Sequence, residues 1–204
     1  MTQLSGKVAL VTGASSGLGA TVAQLFAERG ASVFGIARDT ERMAGVFESV
    51  PGGVYAAVDI TTPQACRDAV AQCVQRFGRL DVLVNAAGFH QMRHTTSVAD
   101  EAWDYDLAVN LNGPFYLCRA ALPHLLEVGG NIVNVVCPGG MLTPQVTDFT
   151  APDNADYNLI MRIAAPRGMM DPPDVAKAIA FLASDDAAAI HGAVYPVDNG
   201  KTAG

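Results

Sequence analysis

A glycine-rich segment near the start of the chain carries the clearest chemical signal. It reads Thr-Gly-Ala-Ser-Ser-Gly-Leu-Gly over residues 12–19 and joins a predicted strand to a predicted helix. Such glycines permit a tight turn and close approach of the backbone to a pyrophosphate, while the helix N-terminus offers N–H groups to the anion. We therefore predict cofactor phosphate binding at Gly13, Ser15, Ser16, Gly17, Leu18 and Gly19.

The same segment also fits the pattern G-x-S-x-G, in which a serine on a strand-to-helix turn is the nucleophile of a hydrolase. Ser15 would then act with His191 as the base and with Asp174 or Asp148 as the acid. That fold requires earlier strands and an upstream oxyanion loop, and only residues 1–10 precede this turn. An α/β hydrolase is therefore the weaker alternative.

Short β-branched runs alternate with amphipathic stretches along the chain, which indicates an α/β fold. Strands are predicted at 7–12, 32–37, 54–58, 81–85, 131–136 and 193–197. Helices are predicted at 17–29, 63–77, 99–127, with a break near Asn110, and 172–184. Because the strands are near-continuous Val, Ala and Ile runs separated by helices, we expect a doubly wound parallel sheet of about six strands, covered on both faces.

Composition narrows the classes of function. With 204 residues, half of them apolar, the chain can form one domain, 1–204, with a sizeable core. A net charge of −7 without a Lys/Arg cluster argues against nucleic-acid and membrane partners. The four cysteines and four histidines lack metal-ligand spacing, so we predict no metal site, no disulfide framework and a reducing cytoplasmic location.

Further motifs follow the glycine-rich segment in a fixed order. They are Asn-Ala-Ala-Gly at 85–88, Asn110 within the predicted helix 99–127, a Pro-Gly segment at 138–144 and Asp-Asn-Gly at 198–200. In order and spacing they resemble the short-chain dehydrogenase/reductase family from end to end. The resemblance implies a Rossmann-type domain and an NAD(P)(H)-dependent oxidoreductase that transfers a hydride between a nicotinamide cofactor and a small alcohol or ketone.

The resemblance also assigns roles to individual residues. Segment 85–88 would support the cofactor, segment 138–144 would wrap its nicotinamide half, and Asn110 would be catalytic. Asp59 and Ile60 match the pair that contacts adenine, although Asp59 also suits a turn cap. The other implied cofactor contacts are Asn85, Ala86, Ala87, Gly88, Pro138, Gly139, Met141 and Thr143.

The type of cofactor is argued from the end of the second predicted strand. A carboxylate there bonds the ribose 2′-hydroxyl of NAD, whereas a basic residue accepts the 2′-phosphate of NADP. Arg38 therefore favours NADP(H) over NAD(H). Two alternatives stay open, namely Asp39 turned inward to a 2′-hydroxyl, and Arg38 as a solvated surface cation.

One segment of the family has no counterpart in this sequence. The family carries a catalytic serine, a Tyr-x-x-x-Lys helix and a sixth strand before the Pro-Gly motif. Here residues 129–134 match the fifth strand and 134–139 match the end of the sixth, so the two run together. No tyrosine lies four residues before Lys7, Lys177 or Lys201, the only lysines. One βαβ crossover is therefore expected to be missing.

The chain thus has an intact cofactor half, 1–128, and a truncated substrate half, 129–204. Catalysis is expected to be impaired or absent, whether the segment was lost by deletion, by a splicing-like event or from the sequence as written. A redox-silent dinucleotide-binding protein is the alternative. The missing helix would also leave an apolar stripe exposed, from which we expect a homo-oligomer. That stripe comprises Leu107, Leu111, Phe115, Leu122 and Leu126.

Overall fold

The computed structural model describes residues 3–135, 139–148, 155–158, 162, 165 and 167–202. Its centre is a sheet of five parallel strands in the order β3-β2-β1-β4-β5. The strands are β1 (Val8–Thr12), β2 (Ser32–Ala37), β3 (Val54–Ala57), β4 (Val82–Asn85) and β5 (Asn131–Asn134). Consecutive strands run outward from β1 in both directions, so the order reverses between β1 and β4.

Helices connect the strands and cover both faces of the sheet. They are α1 (Gly17–Glu28), α2 (Thr40–Phe47), α3 (Pro63–Phe77), α4 (Asp100–Leu107), α5 (Gly113–Val128), α6 (Pro144–Thr147) and α7 (Pro172–Leu182). One core cluster joins α1 and α7 to the first face, and a second joins α3 and α5 to the opposite face. The predicted doubly wound parallel sheet is therefore confirmed.

The predicted break near Asn110 is also present. A π-helical turn, Ala108–Asn112, separates α4 from α5 within the predicted helix 99–127. Gly113 begins α5 beside the loop that follows β3. A Cβ on Gly113 would lie 2.8 Å from the Ile60 side chain in that loop. The π-helical turn therefore changes the hydrogen-bond register of the helix directly before the point where α5 contacts Ile60.

The predicted strand at 193–197 is wrong. This segment has no regular secondary structure, and Val194 is 94% exposed. The predicted six-stranded sheet therefore has five strands in the described part of the chain. The backbone of Asp198 comes close to the Pro-Gly segment, since a Cβ on Gly139 would lie 2.8 Å from the Asp198 Cα. Pro196 also lacks the N–H that a strand ladder needs.

One strand end and one helix differ most from the sequence expectation. The predicted strand 131–136 ends at Asn134, and the backbone N–H of Val135 still donates to the Asn85 carbonyl at 3.0 Å. Val136 lies outside the described residues. Helix α2 was not predicted, although Asp39 accepts a hydrogen bond from the Arg42 N–H as its N-cap.

Asp81, directly before β4, connects the start of β4 to the start of β1. Its buried carboxylate accepts the Val8 N–H at 2.9 Å and two Arg79 N–H groups at 2.8 and 2.6 Å. We expect Asp81→Ala to lower the free energy of unfolding by about 2–3 kcal/mol, because it leaves a buried N–H unpaired. Urea unfolding measures this. Asp81→Asn keeps an acceptor and should lose less, and equal losses would contradict this account.

The apolar stripe on the helices is largely exposed, as predicted. Leu107 is half-buried, while the four other side chains are 47–74% exposed. These four are Leu111, Phe115, Leu122 and Leu126. In the described ranges, no helix is long and apolar enough to cross a membrane.

Candidate functional site

A cleft of about 1130 Å³ lies at the carboxyl ends of the strands, where the strand order reverses between β1 and β4. Open α/β sheets bind ligands at this position because the loops diverge to either side of it. Most of the predicted site residues lie together here. The cleft is lined by Gly13, Ser15, Ser16, Gly17, Leu18, Gly19, Arg38, Asp59, Ile60, Asn85, Ala86, Ala87, Gly88, Asn110, Met141 and Thr143.

The glycine-rich turn has the geometry that an anion site needs. Gly13 and Gly17 have φ of +70° and +53°, values that other residues rarely adopt. A Cβ on Gly19 would lie 2.3 Å from the Gly13 carbonyl oxygen, so α1 packs directly on the turn. The Ser16 side chain makes no cap hydrogen bond to the helix. The first N–H groups of any α-helix lack intrahelical partners, and because the Ser16 side chain does not cap those of α1, they suit a pyrophosphate.

Thr12 fixes the neighbouring segment to this turn, a role that sequence analysis missed. Its hydroxyl oxygen accepts the N–H groups of Ala86 and Ala87 at 3.0 and 2.8 Å. A Cβ on Gly13 would lie 3.0 Å from the Ala87 Cα, so the two backbones are in contact. A threonine directly before the first glycine is the sequence feature that marks this role.

The segment after β5 covers the other side of the glycine turn. A Cβ on Gly17 would lie 3.3 Å from the Thr143 side chain, so Thr143 sits against the turn. Met141 is buried, and its backbone forms an isolated parallel β-bridge with Met170. Gly139 does not line the cleft but lies against Asp198. Pro138 lies outside the described residues.

At the β2 end of the cleft, Arg38 and Asp39 are engaged differently. Arg38 donates from Nη1 to the Tyr105 hydroxyl at 2.5 Å. Asp39 accepts the Arg42 N–H at 2.9 Å and lies 3.3 Å from its Nε. The Asp39 side chain thus caps α2 while it also lines the cleft.

Asp59 and Ile60 follow β3 and contribute one wall. Asp59 accepts the N–H and hydroxyl of Thr61 at 3.0 and 2.8 Å, so it stabilises a turn while lining the cleft. Ile60 is buried and contacts Gly113 at the start of α5. Both residues therefore serve the fold as well as the cleft surface.

Asn110 holds the loop after β4. Its Oδ1 accepts the Phe89 N–H at 2.9 Å, and its Nδ2 donates to the Phe89 and Asp106 carbonyls at 2.7 and 3.0 Å. The oxygen and the nitrogen of the Asn110 side chain are thus both hydrogen-bonded to backbone groups. Its predicted catalytic role stays a prediction, and its observed role is to position the cleft wall.

Asn85 and Asn134 end adjacent strands and meet across the sheet. The buried Asn85 donates from Nδ2 to Asn134 Oδ1 at 2.8 Å and to Cys118 Sγ at 3.4 Å. Burial raises the pKa of the Cys118 thiol, and the Asn85 hydrogen bond opposes this shift. Cys118 and Asn134 line the cleft, but neither the cysteine nor Asn134 was among the predicted site residues.

The hydrolase alternative finds no support in this geometry. Among the described residues, no hydrogen bond joins Ser15 to His191, and Asp174 instead pairs with Lys177 at 3.1 Å. Asp148 accepts from the neighbouring Thr147 hydroxyl at 3.3 Å. Within the same ranges, no group of three His, Cys, Asp or Glu side chains is placed to hold a metal ion.

Comparisons with known proteins identify dehydrogenases and reductases as relatives of this chain. The family model described as short chain dehydrogenase matches residues 7–152, and that described as enoyl-(acyl carrier protein) reductase matches residues 131–202. D-threitol dehydrogenase of Mycolicibacterium smegmatis is 30% identical over 250 residues, covering 98% of this chain and 94% of that protein. The 3-oxoacyl-[acyl-carrier-protein] reductase of Thermotoga maritima is 30% identical over 245 residues, covering 97% and 98%.

A solved structure extends this similarity to three dimensions. The 3-ketoacyl-(acyl-carrier-protein) reductase of Brucella melitensis, complexed with NADH, has a TM-score of 0.85 and 27% identity over 98% of this chain and 99% of that one.

The sequence alignments are longer than the chain itself. The alignment with D-threitol dehydrogenase extends over 250 residues against 204 here, so about 50 positions of that relative have no counterpart. The alignment nevertheless extends over nearly the full length of both chains. The chain belongs to the short-chain dehydrogenase/reductase family of oxidoreductases, whose members bind nicotinamide dinucleotides and act on small-molecule alcohols.

Proposed function

We propose that this chain binds NADP(H) in preference to NAD(H), and that it oxidises alcohols or reduces ketones slowly, if at all. One observation carries the proposal. Most of the predicted cofactor contacts line the cleft, whereas none of the chain's three lysines follows a tyrosine at the Tyr-x-x-x-Lys spacing. In this proposal, residues 1–128 hold the cofactor and residues 129–204 form a shortened substrate half of one domain.

Two neighbouring side chains support the preference for NADP(H). The Arg38 guanidinium lines the cleft where a ribose 2′-phosphate would be recognised, and a fork of N–H donors suits a phosphate. Asp39 also lines the cleft, but its carboxylate is paired with Arg42, which offsets part of its negative charge beside a bound phosphate.

The glycine turn and Thr143 support pyrophosphate binding. The N–H groups at the start of α1 provide directed donors and the positive end of a helix dipole. Thr143 lies against Gly17 through its Cβ and methyl carbon and lines the cleft, so this side chain borders the same anion site. Together these groups would orient the bound cofactor and exclude water from its phosphates.

We expect the chain to lack a group that transfers a proton to or from the substrate. A bound nicotinamide cofactor supplies hydride chemistry, but the substrate oxygen also needs a group that passes a proton. The Asn110 side chain is hydrogen-bonded to the backbone of Phe89 and Asp106, and a carboxamide does not act as a general acid or base. Loss of positioned acid–base catalysis lowers rates by about 10²- to 10⁴-fold.

A fluorescence titration with NADPH and NADH tests this proposal. The protein's intact mass is first confirmed at 21.3 kDa. Binding is then followed alongside NADPH consumption with a panel of ketones and NADP⁺ reduction with alcohols. The panel includes D-threitol and a 3-oxoacyl thioester, because relatives are named for these substrates.

The outcomes separate the hypotheses. Saturable NADPH binding at the confirmed mass, tighter than NADH binding and without turnover, supports a redox-silent dinucleotide-binding protein. A heavier mass with turnover means that the missing segment is present in the molecule. Absence of binding at the confirmed mass contradicts the proposal.

We further propose that the chain self-associates through the exposed stripe on α5. Leu122 and Leu126 are 47% and 74% exposed and lie one turn apart. Burying such side chains favours association by about 25 cal/mol per Å² of apolar surface. We expect Leu126→Lys to shift the protein toward monomer, measured by sedimentation equilibrium. A wild-type chain that is monomeric at high concentration, with a high melting temperature, would contradict this.

A further inference from the structure

A hydrogen bond crosses the β2 end of the cleft. Arg38, directly after β2, donates from Nη1 to the hydroxyl oxygen of Tyr105 on α4 at 2.5 Å. Both residues line the cleft, although they are 67 positions apart in the sequence. The bond therefore ties the strand that presents the cation to the helix on the opposite wall.

Tyr105 is itself held in place. Its ring packs edge-on against Phe89, with centroids 5.1 Å apart, and joins the apolar cluster on that face of the sheet. Asn110 in turn fixes the Phe89 backbone through two hydrogen bonds. The tyrosine hydroxyl is thus presented from a packed side chain whose neighbour is anchored to the π-helical turn.

The partner of Arg38 is neutral, and this matters for ligand binding. In the part of the chain that the structure describes, the ion pairs of arginine involve Arg42, Arg79 and Arg93 but not Arg38. A neutral hydroxyl orders the guanidinium without cancelling its charge, and it occupies one donor of five. The remaining donors stay available to an anion, and the tyrosine O–H is free to donate as well.

We propose that Tyr105 is a positioning residue for the ribose 2′-phosphate, which it serves by holding the Arg38 guanidinium at the β2 end of the cleft. This inference rests on the proposed NADP(H) function. A free arginine side chain samples many rotamers, and ordering it on binding lowers affinity. Tyr105 orders the side chain before the ligand arrives, so its effect falls on NADP(H) and not on NAD(H).

The test is a double-mutant cycle read by cofactor fluorescence. Tyr105→Phe removes the hydroxyl but keeps the ring against Phe89. We expect NADPH to bind about 3- to 10-fold more weakly, as for one hydrogen bond, with NADH within about 2-fold of wild type. Arg38→Ala should weaken NADPH binding by about 10- to 100-fold. In the Arg38→Ala background, Tyr105→Phe should then have no further effect on NADPH.

Tyr116→Phe is the matched control. Tyr116 is also half-buried with an edge-on aromatic neighbour and a nearby arginine, but it does not line the cleft. Equal weakening of NADPH and NADH by Tyr105→Phe, or an effect that persists without Arg38, would overturn the positioning role alone. If wild type binds neither cofactor, or prefers NADH regardless of Arg38, the proposed function fails with it.

Discussion

Gly19→Ala is expected to weaken the binding of NADPH and NADH alike by about 10- to 100-fold, because overpacking at this point costs about 1–3 kcal/mol. The new Cβ would lie 2.3 Å from the Gly13 carbonyl oxygen and 2.7 Å from that of Thr12. These are backbone atoms, so the turn and α1 must move apart. The N–H groups at the start of α1 would then no longer converge on one anion.

Gly45→Ala is the matched control for this change. Gly45 lies within α2 and a Cβ there has open space, so the substitution should stabilise the helix by about 0.5–1 kcal/mol without affecting binding. Fluorescence titration gives the affinities, and circular dichroism checks that Gly19→Ala stays folded. Binding by folded Gly19→Ala within about 3-fold of wild type would contradict a phosphate site at this turn.

The sequence was most informative where local chemistry determines local structure. The glycine turn, the strands of the central sheet and the break near Asn110 follow from residue patterns that act over a few positions. The segment 193–197 shows the limit of such patterns. Its β-branched residues resemble a strand, yet a strand forms only beside a partner, and the pairing depends on the whole sheet.

The role of Asp39 as a helix cap could have been predicted from the residues that follow it. The sequence left open whether this carboxylate turns inward or not, whereas the structure places it at the N-cap of α2. An aspartate followed by apolar residues at positions 43, 46 and 47 is a helix-start pattern. Predicting α2 would have assigned Asp39 to the cap.

Tyr105 could not have been found in this way. Its contact with Arg38 joins α4 to the residue directly after β2, and no local pattern connects them. The contact depends on how the loop after β4 packs, through Phe89 and Asn110. The residues that shape the β2 end of the cleft are thus set by tertiary packing, while those at the phosphate end are set by the turn itself.

The largest expected effect comes from restoring the segment that the chain lacks. The reductase of Thermotoga maritima aligns over 245 residues, so about 50 of its positions have no counterpart here. Inserting a segment of about this length that carries the family's Ser and Tyr-x-x-x-Lys motif after Asn134, where β5 ends, should raise ketone reduction at least about 10⁴-fold. Positioned acid–base catalysis supplies about 10²- to 10⁴-fold, and an oxygen-stabilising donor about 10²- to 10³-fold.

The inserted helix should also pack on the exposed stripe of α5, so a second chimera separates chemistry from folding. In it, the inserted tyrosine and lysine are replaced by phenylalanine and methionine, which keep the apolar surface. Both chimeras should be more stable to urea than the original chain, because Leu122 and Leu126 become covered. Only the first should consume NADPH. Equal turnover by both, or turnover by the original chain at the rate of the first chimera, would show that the proton is passed by groups already present in the cleft.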